Sequence, residues 1–178
     1  MIDRAFLARV RIEPLDRNTH GRADFSCGEE RVDNFLQKTA ARQQDQDHTR
    51  VCVACLDDQR NVIGFYALNS HGIGVQTLPE ELRKKLPRYT QISAIYLSVV
   101  GVHAEHQGKG LGKFLMGHAF ARCADVADQI GAHFIVLDAL NEHAAKLYRE
   151  LGFVDLPGHE PRMLINMALV RKAIGRAS

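Results

Sequence analysis

Hydrophobic and polar positions follow two different spacings along the chain, and these spacings predict a mixed set of strands and helices. Short apolar or alternating runs, bounded by turn residues, are typical of strands. They predict strands at 6–13, 50–56, 61–70, 93–102, 132–138, 153–156 and 163–169. A polar stretch at 57–60 separates the second strand from the third and is expected to form a turn.

Apolar residues three and four apart predict helices between these strands. The first begins at a capping-box pattern, Ser26 with Glu29, and runs to about residue 43. Its apolar face carries Val32, Leu36 and Ala40. A short helix is expected within 78–87, and a long one over 111–130. Residues 170–178 are expected to form a frayed, basic tail.

The order of these elements predicts an α/β (mixed α+β) fold, with six to seven strands in a mixed sheet and helices on both faces. The strand at 93–102, the helix at 111–130 and the strand at 132–138 form a right-handed crossover, so the two strands should be parallel. The chain of 178 residues is expected to be a single domain, 1–178, with its core at about 6–169.

Composition excludes several classes of protein. A hydrophobic content of 46% and a charged content of 25% are ordinary for a soluble globular protein. Charges at Asp3, Arg4 and Arg9 interrupt any signal-peptide pattern. The apolar run at 92–102 is far shorter than the roughly 18 residues of a membrane helix. We therefore expect a cytoplasmic protein that does not enter a membrane.

The spacing of Cys52 and Cys55 matches a C-x-x-C motif, which is found in redox and zinc sites. On a strand, however, residues three apart point to opposite faces of the sheet. The sequence contains no second C-x-x-C to complete a metal site. We expect buried free thiols and no metal.

A glycine-rich segment, His106 to Lys113, follows the strand at 93–102 and leads into the helix at 111–130. A turn at this position exposes backbone N–H groups at a helix N-terminus, where phosphate oxygens bind. Its spacing differs from that of both the P-loop and the Rossmann motif. A flexible strand-to-helix connection is the alternative reading.

A second motif lies on the predicted helix that starts at Asn141. Asn141 occupies an N-cap position, and Gly152 occupies the position where a left-handed residue ends helices. Asn141, Ala144 and Tyr148 share one face of this helix. The alternative reading makes Asn141 a plain helix cap and Tyr148 a core aromatic residue.

Together, the two motifs resemble those of the GNAT family of N-acetyltransferases. Its signature Q/R-x-x-G-x-G/A matches Gln107, Gly110 and Gly112. Its signature N-x-x-A-x-x-x-Y, followed closely by G-F, matches the segment from Asn141 to Phe153. The resemblance covers roughly the whole chain. It implies a splayed central sheet that admits the pantetheine arm of acetyl-CoA.

The resemblance also implies a role for each part of the site. Tyr148 would be the catalytic acid that protonates the CoA thiolate, because a phenol pKa of about 10 is close to a thiol's roughly 8.5. Backbone N–H groups near Val100 and Val102 would stabilise the oxyanion. The remaining residues expected to bind acetyl-CoA are Gln107, Gly108, Lys109, Gly110, Leu111, Gly112, Lys113 and Asn141.

The choice of acceptor decides whether a base is needed. A lysine amine, with a pKa near 10.4, requires deprotonation, whereas an α-amine, with a pKa of about 7.7–8.0, is already partly neutral at cellular pH. His103, just past the central strand, is a candidate base or part of a water relay. It also fits the role of an ordinary polar residue at a strand end.

The segment from Phe25 to Leu36 is similar to the opening of one subgroup, the acetyltransferase toxins of bacterial toxin–antitoxin modules. This resemblance implies an aminoacyl-tRNA acceptor, a homodimer and a small DNA-binding antitoxin. In two places the sequence departs from the subgroup: Val99 and His103 replace an Arg and an Asp. Two alternatives are an acetyltransferase for small amines or protein N-termini, and a non-enzymatic acyl-CoA sensor.

The formal net charge of +2 is modest for a protein that grips RNA phosphates. A local basic cluster offsets this low overall charge. It comprises Arg83, Lys84, Lys85 and Arg88, with Arg42, Arg50, Lys109 and Lys113 as possible extensions. A solvated helix face is the alternative reading of the cluster.

Overall fold

The computed structural model describes residues 2–176 of the chain. Within them the strands are β1 Val10–Pro14, β2 Arg50–Leu56, β3 Gly64–Gly74, β4 Gln91–Val102, β5 Phe134–Asp138, β6 Val154–Asp155 and β7 Arg162–Asn166. The helices are α1 Arg4–Leu7, α2 Glu30–Asn34, α3 Ala40–Asp45, α4 Glu80–Arg83, α5 Leu111–Ile130, α6 Glu142–Glu150 and α7 Met167–Ala173. A π-helical segment, Phe35–Thr39, joins α2 to α3.

The strands form a mixed sheet in the order β1-β2-β3-β4-β5-β7-β6. The β4–β5 pair is parallel, as the crossover predicts, with Ile95 opposite Ile135. The pairs β1–β2, β2–β3, β5–β7 and β6–β7 are antiparallel. The predicted mixed α/β fold with its central sheet is therefore confirmed. No helix in the described part of the chain is both long and apolar enough to cross a bilayer.

The chain divides into two compact units. The first unit comprises the residues up to Asn69 together with Ser98–Ala119. Its core joins the helical segments α2 and α3 to the strands β2 and β3. The predicted apolar face is buried as expected, with Val32 7% exposed and Leu36 and Ala40 fully buried. These side chains belong to one cluster with Val53 and Phe65.

The second unit comprises Ser70–Leu97 and the residues from Phe120 onwards. Its core includes Ala94 of β4, Val136 of β5 and Leu164 of β7. Leu82 of α4 and Leu86 pack against this core. This packing fixes the position of the basic segment at residues 83–88.

The prediction of a strand over 6–13 is wrong at its start. Residues Arg4–Leu7 form α1, and the strand begins only at Val10. Asp3 causes the difference, because its side chain accepts a hydrogen bond from the Phe6 N–H (2.9 Å) and so caps a helix.

The predicted capping box at Ser26 and Glu29 is also wrong. The helix begins at Glu30, and Glu29 at its N-cap makes no side-chain capping bond. Asp33 instead reaches back from the first turn, and its carboxylate accepts the Cys27 N–H (2.8 Å) and the Ser26 hydroxyl (3.3 Å). The helix therefore starts one turn later than expected.

The C-terminal prediction is wrong in a similar way. The last strand ends at Asn166 rather than Leu169, and α7 follows it. Asn166 caps α7 by accepting the Leu169 N–H (2.8 Å). Arg171 is ion-paired with Asp128 (2.7 Å), and Arg176 with Asp125 (2.6 Å). Most of the predicted tail, 170–178, is thus ordered, and its last two residues lie outside the described chain.

Candidate active site

The glycine-rich turn lies between the end of β4 at Val102 and the start of α5 at Leu111. Gly108 and Gly110 have φ angles of +75° and +91°, which residues with a side chain rarely adopt. Leu111 is 1% exposed and anchors the first turn of α5 in the core. The turn therefore holds its shape through its glycines and presents the N-terminal N–H groups of a long helix.

The Gln107 side chain connects the turn to two other segments of the first unit. Its side-chain Nε2 donates to the carbonyl oxygens of Cys27 (2.9 Å) and Val102 (3.0 Å). The amide thus joins the turn to the end of β4 and to the loop before α2. In this structure the Gln107 side chain therefore holds the turn in position.

The two lysines of the turn differ in their surroundings. The Lys109 Nζ donates to the Glu105 carbonyl (2.9 Å) and lies 5.2 Å from the centre of the Phe6 ring. Lys113 is exposed on the first turn of α5. Gly112, between them, would place a Cβ 4.0 Å from Val102 Cγ2, in ordinary contact.

The C-terminal half of β4 carries Val100, Gly101 and Val102, where the oxyanion donors are expected. A Cβ at Gly101 would lie 2.8 Å from both Phe65 Cε1 and Val32 Cγ1, so no side chain fits. Val100 and Val102 are half-buried. Glycine at 101 lets the core of the first unit close directly against this part of the strand.

His103 is held by backbone groups at both ring nitrogens. Its Nδ1 accepts from the Glu105 N–H (3.3 Å), and its Nε2 faces the Asp24 carbonyl oxygen (3.3 Å). A carbonyl can only accept, so Nε2 is the donor in the second of these contacts. Phe25 packs edge-on against the ring, with centroids 5.8 Å apart. These contacts favour the strand-end role over that of a base.

In the second unit, Asn141 precedes α6 as its N-cap and Tyr148 lies on the helix. The predicted caps are confirmed, because the Asn141 Oδ1 accepts the Ala144 N–H (2.9 Å) and Gly152 has a φ of +98°. Arg149 pairs with Glu142 in the first turn of the same helix (2.7 Å) and with Asp155 of β6 (2.9 Å). The helix that presents Tyr148 is therefore fixed at both ends.

Tyr148 is half-buried, and its ring centroid lies 5.8 Å from that of Phe153. Burial raises the pKa of its phenol to about 12. The hydroxyl thus stays protonated throughout the physiological range and can donate a proton or a hydrogen bond. A group with this pKa cannot act as a base at neutral pH.

A charged cluster that the sequence did not reveal lies where β4 and β5 part. Their pairing ends at Tyr96 opposite Val136. Just beyond, the Tyr96 hydroxyl donates to Asp138 (2.9 Å), and Arg162 donates to both oxygens of this carboxylate (2.8 and 2.9 Å). Hydrogen bonds from Arg162 are the main cause of the lowered pKa of Asp138. The cluster therefore ties β4, β5 and β7 together at this fork.

The predicted buried free thiols are confirmed. Cys52 and Cys55 are free and buried on β2. Burial raises the pKa of Cys55 to about 11, which keeps its thiol protonated and unreactive. Among residues 2–176, no group of three His, Cys, Asp or Glu side chains is arranged to hold a metal ion.

The basic segment at residues 83–88 forms one ion pair with α4. Lys84 forms an ion pair with Glu80 (2.9 Å). Arg83, Lys85 and Arg88 are exposed, and the neighbouring Tyr89 is 66% exposed. Exposed cations beside an exposed aromatic ring are typical of surfaces that contact single-stranded nucleic acid.

Comparison with known proteins gives a consistent set of relatives. The family model described as "Acetyltransferase (GNAT) family" matches residues 19–153. A probable toxin TacT of Sinorhizobium fredii is 41% identical over 171 residues, covering 92% of this chain and 94% of that protein. A tRNA-acetylating toxin of Mycobacterium tuberculosis is 34% identical over 151 residues, covering 85% and 89%.

Solved structures of the toxin AtaT are also similar. AtaT complexed with acetyl-methionyl-tRNAfMet is 29% identical, with a TM-score of 0.83 over 93% of this chain and 97% of that one. AtaTR bound with AcCoA is 28% identical, with a TM-score of 0.82 over 93% and 98%.

Proposed function

The chain belongs to the acetyltransferase (GNAT) family, and we propose that it transfers the acetyl group of acetyl-CoA to the α-amine of aminoacyl-tRNA and so blocks translation. The observation that carries the acceptor is the similarity, over 85% of this chain, to a tRNA-acetylating toxin. The geometry of the turn and of Tyr148 supports the donor and the chemistry.

The donor is proposed to bind through its pyrophosphate at the glycine-rich turn. Backbone N–H groups at the start of α5 have no partners within the helix and point along its dipole, which favours a negative group. Gly108, Gly110 and Gly112 leave room for close approach, and Lys113 adds positive charge. The AtaTR structure bound with AcCoA supports the same donor.

The reaction is proposed to proceed by direct attack. The neutral amine attacks the thioester carbonyl, and the resulting oxyanion accepts hydrogen bonds from backbone N–H groups near Val100 and Val102. The C–S bond then breaks, Tyr148 donates its proton to the CoA sulfur, and the amine loses its extra proton to water. The Tyr148 phenolate takes a proton back from water before the next turnover. The raised pKa of Tyr148 ensures that this proton is present.

The acceptor amine is proposed to need no dedicated base. An aminoacyl ester offers an α-amine with a pKa near 8, of which a useful fraction is neutral at cellular pH. This agrees with a His103 ring whose nitrogens both face backbone groups. His103 would then orient the loop after β4 without moving a proton.

The basic segment is proposed to contact RNA phosphates, with Tyr89 available to stack on an unpaired base. In addition, we propose a cytoplasmic homodimer that is restrained by a small DNA-binding antitoxin. The structure of a mutant of the AtaT toxin bound to the C-terminus of the antitoxin AtaR, 25% identical to this chain, supports an antitoxin partner. The entire chain, 1–178, would act as one acetyltransferase domain.

The test is a product analysis on charged tRNA. Purified protein is incubated with labelled acetyl-CoA and bulk aminoacyl-tRNA, and the amino acids released by mild base are identified by mass. We expect N-acetylated amino acids from the wild type and none from Tyr148→Phe within the same time. Induced expression should arrest growth for the wild type only. Acetylated peptides or small amines, with untouched tRNA, would overturn the proposed acceptor.

A further inference from the structure

Residues 2–6, before and within α1, lie against the glycine-rich turn of the same unit. The Asp3 N–H donates to the Lys109 carbonyl oxygen (3.1 Å). The Cα and Cγ1 of Ile2 lie 3.4 Å from the position that a Cβ on Gly110 would occupy. The Phe6 ring stacks on His106, with centroids 5.5 Å apart and planes at 16°. Ile2, Asp3 and Phe6 thus each contact the turn.

These contacts contribute little to the core. α1 contains no buried residue, and Ile2 is 59% exposed. A four-residue helix has almost no stability of its own, because helices shorter than about 12 residues are marginal in water. The segment therefore depends on its contacts with the turn, and those contacts affect the turn more than the fold.

The hydrogen bond from Asp3 decides which way one peptide of the turn faces. The Lys109–Gly110 bond is trans, and in a trans peptide the C=O and the N–H point in opposite directions. Since the Lys109 C=O points at Asp3, the Gly110 N–H points away from residues 2–6. The segment thus covers the carbonyl side of this peptide and leaves its N–H side open.

The side chain of Lys109 is held by the same segment. Its ammonium lies over the Phe6 ring and donates to the Glu105 carbonyl, so Phe6 contacts both Lys109 and His106. The pKa of His106 is lowered, first by burial and then by Lys109, which keeps the stacked ring neutral. Phe6 thereby restrains residues on both sides of Gly108.

We propose that residues 2–6 are a positioning element of the acyl-CoA site, which holds the Lys109–Gly110 peptide so that the Gly110 N–H faces a pyrophosphate oxygen. The inference rests on the proposed function, because it takes acyl-CoA as the ligand of the turn. Phe6 and the Asp3 backbone are its main parts. Neither touches the reacting atoms, so their loss should change donor binding and leave the chemical step intact.

The first test compares two donors. Acetyl-CoA carries the pyrophosphate, whereas acetyl-pantetheine has the same thioester without it. Phe6→Ala should raise KM for acetyl-CoA about five- to tenfold at unchanged kcat, as expected for loss of a ring contact and a weakened hydrogen bond. KM for acetyl-pantetheine should not change. Phe6→Tyr should restore the wild-type KM, and Leu7→Ala, one residue along the same helix, should have no effect.

The second test removes the Asp3 donor itself. Asp3→Pro lacks the N–H, and the φ of −88° at this position is close to what proline accepts. Asp3→Ala keeps the N–H but loses the helix cap. KM for acetyl-CoA should rise more for Pro than for Ala.

The outcomes separate the two levels of the proposal. An unchanged KM for acetyl-CoA in Phe6→Ala, or an equal rise for both donors, would overturn the positioning role. A lower KM would mean that the segment obstructs the site. Failure of the wild type to use acetyl-CoA at all would instead refute the proposed function.

Discussion

The glycine-rich turn and the helix α6 carry the two halves of the proposed chemistry, and they do so with different materials. The turn works through backbone groups, whose direction depends on glycine at 108 and 110 and on the Gln107 amide. By contrast, α6 works through one side-chain atom, the hydroxyl oxygen of Tyr148. Damage to the turn should therefore weaken donor binding by degrees, whereas damage to Tyr148 should remove a single chemical step.

The largest expected effect is on the Tyr148 side of this comparison. Tyr148→Phe keeps the ring and its packing against Phe153 but removes the proton. We expect kcat to fall about 10²- to 10³-fold, as for loss of a general acid, with little change in the Kd for acetyl-CoA. Steady-state rates and calorimetric CoA binding check both parts.

A leaving-group series sharpens this prediction. An acetyl thioester of a thiol with a low pKa expels a stable thiolate that needs no proton. The defect of Tyr148→Phe should therefore shrink as the thiol pKa of the donor falls. A defect that stays constant across the series would mean that Tyr148 acts by position alone.

A smaller effect is expected on the turn side. Gly110→Ala forces a side chain into a φ of +91° and against Ile2 at 3.4 Å. We expect KM for acetyl-CoA to rise about tenfold with kcat nearly unchanged, because a strained residue costs about 1–3 kcal/mol. Gly131→Ala is the matched control: its φ is +72°, and no atom outside its own neighbourhood lies within 4 Å. It should lose similar stability and keep its KM. A reduced kcat in Gly110→Ala would break the comparison.

A still smaller effect concerns the acceptor. Arg83→Glu should weaken aminoacyl-tRNA binding about three- to tenfold. It should also lower the slope of log K against log salt concentration by about one or two, because binding with fewer phosphate contacts releases fewer counterions. Lys172→Glu, on α7, makes the same change in net charge elsewhere in the second unit. Binding titrations at several salt concentrations distinguish the two variants. Equal slopes would remove residues 83–88 from the RNA contact.

The smallest effect is expected when only the pH is changed. The specificity constant kcat/KM for aminoacyl-tRNA should rise with increasing pH as the α-amine loses its proton, with an apparent pKa of about 8, and then level off. No fall should follow up to about pH 10, because an acid with a pKa of about 12 is still protonated there. A fall beginning near pH 9 would show that the essential acid is a different group or has a lower pKa.

Local patterns predicted the centre of the fold well. The strand over 50–56 and the helix over 111–130 were placed at their observed bounds, because burial and local propensity agree there. The errors fall where one polar side chain selects among alternatives. Asp3 and Asn166 each cap a helix by accepting an N–H from three residues ahead, and Asp33 accepts the Cys27 N–H. One local hydrogen bond thus outweighs the apolar pattern that predicted a strand or an earlier helix start.

The candidate site was predictable to different depths. The glycines of the turn and the caps of α6 could be predicted from the sequence, because each of these positions needs a particular backbone conformation. The contacts of residues 2–6 with the turn and the Tyr96–Asp138–Arg162 cluster could not be predicted. Asp138 meets Arg162 only because β5 and β7 pair in one register, and Phe6 meets Lys109 only through the path of the chain before β1.

The most direct test of this division of labour is kcat/KM for acetyl-CoA in the double variant Gly110→Ala/Tyr148→Phe, measured beside the two single variants. If the turn binds the donor and Tyr148 serves only the chemical step, the two losses multiply. The double variant should then lose about 10³- to 10⁴-fold, within a factor of about two of the product. A double variant no worse than Tyr148→Phe alone would contradict the account, since both residues would then act on the same step.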